Sequence, residues 1–389
     1  MSNPTMNTSH RLDRDSSRLG VSATPPPGHR ADVLGTRLLS KFLPALFGAL
    51  LVGCSPTPDP LFEQTFYIFG TMVDLTLWGI PEPLARSASK TIENDLQTMH
   101  RDWHAWQPGE VMRLNQAIAQ GEPFQASPNL ITLIRTSQDA EKRSSGMFNP
   151  AIGRLIGLWG FHQDIPPGGV IPTPAEVARL VAQHPSTLDL SIDGNTVRSR
   201  NPAVELDFGG IAKGYAGDLV IATLRTMGIE NAIFDAGGGL QVIGSHGKKP
   251  WHIGIRDPKG NGAFAAVDLG PTTEGMHTSG GYARFREYAG KRYSHILDPR
   301  TGMPVEGIVS ATVIYPEGIW SDASTKGMVV GGLRCWSSIA SQMGLTNVLV
   351  VDEAGNVYMT PEMSHRVQFT KEPPPHVTVV TPTPNPACL

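Results

Sequence analysis

Apolar positions recur at two different spacings along the chain. Phe66-Tyr67-Ile68-Phe69-Gly70-Thr71-Met72-Val73, continued by Asp74-Leu75-Thr76-Leu77, predicts a strand or hairpin. From Ala85 to Trp103 the spacing changes, with Ile92, Leu96, Met99 and Trp103 three or four apart on one helical face, and a second helix is expected over Val111–Ala119 after Pro108-Gly109. Both stripes read as core. Ala203-Val204-Glu205-Leu206-Asp207-Phe208 alternates as a strand does; Gly209-Gly210 then turns the chain into a predicted helix from Ile211 to Met227, stopped by Gly228. Asn231–Asp235 predicts another strand, broken by Gly237-Gly238-Gly239 before Leu240-Gln241-Val242-Ile243.

The ends are patterned differently. Leu38–Gly53 is an apolar run behind Arg30, Arg37 and Lys41, and Leu51-Val52-Gly53-Cys54 has the form of a bacterial lipobox. Residues 1–54 are therefore expected to be an N-terminal extension and lipoprotein signal peptide, with Cys54 lipidated and the protein anchored by lipid on the periplasmic or outer side of a membrane. Pro44 and the modest length of the apolar run argue against a membrane-spanning helix. Residues 55–64, starting Ser55-Pro56-Thr57-Pro58-Asp59-Pro60, read as a stiff tether, and residues 369–389, rich in Pro and Thr, as a disordered tail. No second tether or repeat interrupts residues 65–368, which favours one unit, with two lobes as an option.

Composition narrows the function. A net charge of -3 over 389 residues produces no field that would gather nucleic acid, so no nucleic-acid partner is expected. Of three cysteines only Cys335 and Cys388 could form a structural disulfide; Cys335 lies in an apolar stretch and reads as a buried inert thiol.

Two stretches carry candidate chemistry. A glycine turn entering a helix leaves backbone N–H groups unpaired at the positive end of the helix dipole, which suits a phosphate, and Asp207-Phe208-Gly209-Gly210-Ile211-Ala212-Lys213-Gly214 adds a cation and a carboxylate. It is neither GxGxxG nor a Walker A loop, and a tight packing turn with a surface lysine fits the spacing equally well. In Tyr293-Ser294-His295-Ile296-Leu297-Asp298-Pro299-Arg300-Thr301-Gly302 a histidine and an aspartate sit three apart beside an Asp-Pro turn; they suit proton transfer, or a turn cap with a surface histidine. Thr278-Ser279-Gly280 offers hydroxyls, and Ser321-Asp322-Ala323-Ser324-Thr325-Lys326 offers the hard oxygens that Mg²⁺ prefers.

In order and wording these stretches, together with Phe69-Gly70-Thr71, Phe148-Asn149-Pro150-Ala151-Ile152-Gly153, Leu158-Trp159-Gly160-Phe161, Asp235-Ala236-Gly237-Gly238 and Trp251–Pro258, resemble the ApbE-like family of FAD:protein FMN transferases from about Phe66 to Tyr358. The resemblance implies an α+β fold of mixed sheets with flanking helices, two lobes around a flavin-binding cleft. It places FAD, the substrate, against Phe69, Met147, Phe148, Asn149, Asp207, Lys213, Ser279 and Leu297. It places Mg²⁺ on the Gly210 carbonyl and the Asp322 carboxylate. The implied reaction joins FMN through a phosphoester to a threonine of an acceptor protein and releases AMP. His295 is the candidate base, with Asp298 orienting it or serving instead.

Two positions depart from the family pattern. Gly281 stands where an acidic residue is common, and Lys326 stands where a metal-binding threonine is common, four residues after Asp322. Either Thr325 reaches the metal through a shifted turn, or Lys326 puts a fixed positive charge there and weakens metal binding; its unperturbed pKa of about 10.4 keeps it protonated. The alternatives to flavin transfer are Mg²⁺-dependent FAD hydrolysis and a non-catalytic FAD-binding lipoprotein.

Overall fold

The computed structural model describes residues 60–163, 170–282, 284–370 and 376–388. The leader, Cys54 and the first half of the tether lie outside the described residues. Nine strands form the principal sheet: β1 (Leu61–Ile68), β2 (Thr71–Trp78), β3 (Ala232–Asp235), β4 (Gly239–Ile243), β5 (Glu274–Gly280), β6 (Ile308–Tyr315), β7 (Asn347–Asp352), β8 (Val357–Met359) and β9 (Val377–Val379). They lie side by side in chain order. Every neighbouring pair is antiparallel except the last, β8 with β9.

The helices α1 (Glu82–Trp103), α2 (Glu110–Gln120), α3 (Pro128–Arg143), α4 (Ala212–Thr226) and α5 (Gly318–Met343, broken at Gly332) contribute to the main core. In β2, Val73, Leu75 and Leu77 turn into that core beside Ile92 and Leu96 of α1 and Leu130 of α3, while Asp74 between them is exposed. That is the period-two pattern of a sheet with one dry face. A second cluster joins Leu240, Val242 and Met276 of the large sheet to Trp251, Ile255 and Val267 of a three-stranded sheet formed by Trp251–Arg256, Ala263–Leu269 and Gln368–Phe369. β4, covered on both sides, is buried at every position and loses the alternation. A third cluster, Ile152, Leu155, Trp159, Phe161, Val177 and Leu297, packs around the short helices Gly153–Leu158 and Pro174–Val181.

The predicted hairpin and the helices over 85–103, 111–119 and 211–227 are present, extended or trimmed by a few residues. Four expectations need correction. Ala203–Phe208 forms no ladder strand: the Asn115 side-chain amide brackets Leu206, donating to its carbonyl at 2.9 Å and accepting from its N–H at 2.8 Å. Asp207 N–H meets the Pro150 carbonyl at 2.8 Å, so extended backbone here is paired by a side chain and a loop. β1 begins at Leu61, inside the expected tether. The expected tail is ordered over residues 376–388, with β9 on the sheet edge. Cys335 is no free thiol, since it is bonded to Cys388. The described residues belong to one unit. Among the described residues no helix is long and apolar enough to cross a membrane.

Candidate active site

The β1–β2 turn consists of Phe69 and Gly70, both with positive φ, at 57° and 69°. A two-residue turn with two left-handed positions matches the twist of the strands it joins, but a bulky aromatic residue takes up such a conformation at a cost. The strained Phe69 lines a cavity of about 620 Å³. Met147, Phe148, Asn149 and Leu297, all expected against FAD, line the same cavity. Both amide atoms of Asn149 are anchored: Oδ1 accepts from Ala151 N–H at 2.8 Å and Nδ2 donates one hydrogen to the Pro185 carbonyl at 2.9 Å, which fixes the side chain in the wall.

Asp207, Gly210 and Lys213 belong to the polar part of the lining. Asp207 Oδ1 accepts from Gly209 N–H at 2.8 Å, closing the glycine turn, and Oδ2 lies 3.3 Å from His162 Nε2. Burial alone would push this carboxyl up, but His162 and the Gly209 N–H hold it below the usual carboxylate range. The first helical position of α4 is Ala212; its cap residue Ile211 supplies no side-chain bond, Ala212 N–H meets the Phe208 carbonyl at 2.8 Å, and Gly214 N–H is taken by Asp322. Lys213 follows at once, and it makes no ion pair among the described residues. An unpaired ammonium in the first turn of a helix, at the positive end of its dipole, is an arrangement suited to phosphate.

His295 faces the same cavity. Its Nδ1 lies 2.9 Å from the Arg284 carbonyl, an acceptor only, so Nδ1 donates and Nε2 keeps its lone pair. Burial, with the charges of Lys213, Arg284 and Lys326, pushes the imidazole down to about 4. At neutral pH it is an uncharged acceptor. Asp298 does not orient it. That carboxylate grips Arg300 in two places, at 2.7 and 2.9 Å, and accepts from Arg300 N–H at 2.9 Å. It therefore shapes the Asp-Pro turn, and a backbone carbonyl sets the imidazole tautomer in its place.

Asp322, Thr325 and Ser279 lie behind the cavity wall. Gly214 lets α4 press against α5: a Cβ there would sit 2.1 Å from the Gly318 carbonyl oxygen, and the contact brings Gly214 N–H to Asp322 Oδ2 at 3.0 Å. The other carboxylate oxygen is paired with the Lys326 ammonium. Burial would raise the Asp322 carboxyl; Lys326, His277 and Lys213 hold it down at about 2. Thr325 is fully buried, its hydroxyl donating to the Asp322 carbonyl at 2.8 Å and sharing a 2.6 Å hydrogen bond with Ser279. Lys326, and neither Asp322 nor Thr325, reaches the lining. The expected Mg²⁺ set of Gly210, Asp322 and Thr325 thus does not fit as arranged. The Thr325 oxygen is turned into the helix, and each Asp322 oxygen already has a partner.

Sequence reading missed a row of rings. His100, Trp103, His104 and Trp106 line the cavity. Phe69 meets His100 edge-on at 5.6 Å, His104 meets Trp106 at 4.3 Å, and Trp106 stacks on His162 at 4.7 Å with planes 20° apart. The signal lay in His100-Arg101-Asp102-Trp103-His104-Ala105-Trp106, where rings continue past the last apolar position of the helical stripe.

A layered α+β frame holding a ring-lined cleft, with an unpaired lysine at a helix start, defines a protein built to bind a large aromatic ligand that carries phosphate. The chain belongs to the ApbE family, whose model matches residues 69–349. It is 45% identical over 361 residues to the FAD:protein FMN transferase of Rhodobacter capsulatus, covering 92% of this chain and 68% of that protein. It is 27% identical to the FAD:protein FMN transferase of Escherichia coli, over 82% of this chain and 95% of that one. The crystal structure of the Thermotoga maritima ApbE protein superposes with a TM-score of 0.71 at 27% identity, covering 80% of this chain and all of that one. The Vibrio cholerae flavin transferase ApbE superposes with a TM-score of 0.70 at 26% identity, covering 79% of this chain and all of that one.

Proposed function

We propose that the chain takes FMN from FAD and joins it to a threonine of an acceptor protein. The carrying observation is that Lys213 and the neutral imidazole of His295 face one ring-lined cleft. Flat ring systems pack against Phe69, Phe148 and Trp106, and Lys213 with the start of α4 balances the pyrophosphate charge. The threonine Oγ bonds to the FMN phosphorus, the bridging P–O bond breaks, and AMP leaves with that electron pair on its phosphate oxygen. His295 Nε2 accepts the hydroxyl proton. Positioning and charge balance account for most of the catalysis in such transfers. No step runs through Mg²⁺, because Asp322 and Thr325 are committed elsewhere.

The test is to incubate purified protein with FAD and an acceptor bearing a target threonine, then read in-gel flavin fluorescence and AMP release. Bound FAD with a dark acceptor band would sink the transfer reading, and FMN plus AMP formed without acceptor would point to hydrolysis. The lipobox pattern at Leu51–Cys54 supports a membrane-anchored protein facing the periplasm or cell exterior. The Cys335–Cys388 disulfide supports the same reading, since such bonds persist in oxidising compartments. Labelled palmitate should enter the wild-type chain but not Cys54→Ser; equal labelling of the two would remove Cys54 from the account.

A further inference from the structure

Lys326 lies one helical turn beyond Asp322 on α5, so its stem reaches back over the carboxylate. The stem also passes Gly210, where an added Cβ would come within 3.5 Å of Lys326 Cγ. The ammonium therefore sits where the glycine turn, Asp322 and the cavity meet. This is the place that the family resemblance assigned to a divalent cation. Two of the three expected ligands are engaged elsewhere: Asp322 Oδ2 is held by Gly214 N–H at 3.0 Å, and the Thr325 hydroxyl points back to its own helix and to Ser279. Among the described residues no group of three or more His, Cys, Asp or Glu side chains is arranged to hold a metal ion. Asp322 already balances the Lys326 charge, with Lys213 close by. A divalent ion added here would meet two ammonium groups and a carboxylate already paired with one of them.

We propose that the Lys326 ammonium is a built-in substitute for the divalent cation, and that Lys326 and Lys213 together hold the FAD pyrophosphate without a metal. The proposal rests on the FAD-binding reading above. Arrangement and charge both favour it. The side chain of Lys326 is 17% exposed while that of Asp322 is 2% exposed, so the pair shows its cationic end to the cavity and its anionic end to the core. A lysine is a point charge that orients and neutralises phosphate oxygens but cannot bridge them within one coordination sphere as a metal does.

The test measures binding as well as turnover. FAD affinity of the wild-type protein is followed by tryptophan quenching in excess EDTA and in excess Mg²⁺, and Mn²⁺ binding is followed by electron paramagnetic resonance with and without FAD. The wild type should bind FAD equally in EDTA and Mg²⁺ and hold no stoichiometric Mn²⁺. Lys326→Thr should lose FAD affinity in EDTA by about tenfold or more, the loss of one charge-assisted contact worth about 1.4 kcal/mol. It should recover that affinity with Mn²⁺ and bind one ion. Lys326→Met, which offers neither charge nor oxygen, should lose affinity without rescue. One Mn²⁺ bound per wild-type chain, or wild-type FAD binding that needs Mg²⁺, would overturn the proposal and leave flavin binding standing. Failure to bind FAD under any condition would instead defeat the functional reading on which the proposal rests. The wild-type measurements decide the matter even if a variant does not fold.

Discussion

His295 works through what surrounds it. A carbonyl on one side fixes which nitrogen carries the proton, and burial with three nearby cations keeps the other nitrogen free. Because its folded pKa is depressed to about 4, the neutral, proton-accepting form persists from neutral pH well into the acid range and is lost only as pH falls through that value. The acid limb of kcat/KM for flavin transfer should therefore fall well below 6.5; a limb at the ordinary imidazole value would show that His295 is not the base. His295→Ala should slow transfer by about 100- to 10,000-fold while leaving FAD affinity nearly unchanged. Phe69 shows the opposite economy, accepting a left-handed backbone to place a ring in the cleft. Phe69→Gly relieves that backbone and Phe69→Ala does not, so both should bind FAD more weakly while the glycine variant melts higher. Equal melting temperatures by calorimetry would mean that the turn is not strained. Residue types at the site were legible because histidine, lysine and glycine turns have chemical signatures in the chain. Side-chain direction was not: Asp298 and Thr325 satisfy nearby backbone, which no spacing rule reveals.

The crossing of α4 on α5 is the element that fixes the polar end of the cleft. Gly214 permits it, and Gly214→Ala places a methyl against the Gly318 backbone, which cannot swing aside as a side chain could. The expected loss is about 3 kcal/mol, the upper end for overpacking, read by urea denaturation, with weaker FAD binding in the fraction that folds. A loss under about 0.5 kcal/mol would show that the helices part readily. Asp218 secures the same crossing by accepting from Gly318 N–H at 2.6 Å and Ile319 N–H at 2.8 Å, and burial pushes its carboxyl up to about 6. The helices were legible because their period and stop signals are local: Gly228 ends α4 and Gly121, left-handed, ends α2. The Ala203–Phe208 stretch misled because alternation reports two faces but not which partner pairs the backbone. Here Asn115, 91 residues away, does so.

The main core of the molecule extends to the C-terminal segment through one covalent bond and one strand. Cys388 and Cys335 are 4% and 5% exposed and join positions 53 residues apart. On loop-closure grounds the bond is worth at most about 4 kcal/mol, so Cys388→Ser should lower the melting temperature by several degrees, and reductant should do the same to the wild type alone. An identical transition in both would mean that the bond is absent in solution. Composition hid this docking: Pro and Thr enrichment signals disorder, while three residues of β9 bury little yet pair fully with β8. β9 is the last strand of the nine, so β8 would otherwise end the sheet with open N–H and carbonyl groups. A chain produced where thiols stay reduced would hold β9 by its three-residue ladder alone, and each time β9 came away, both it and β8 would be free to pair with neighbouring chains. Monodisperse material is thus expected from secretion, and clumped material from synthesis in a reducing cytosol.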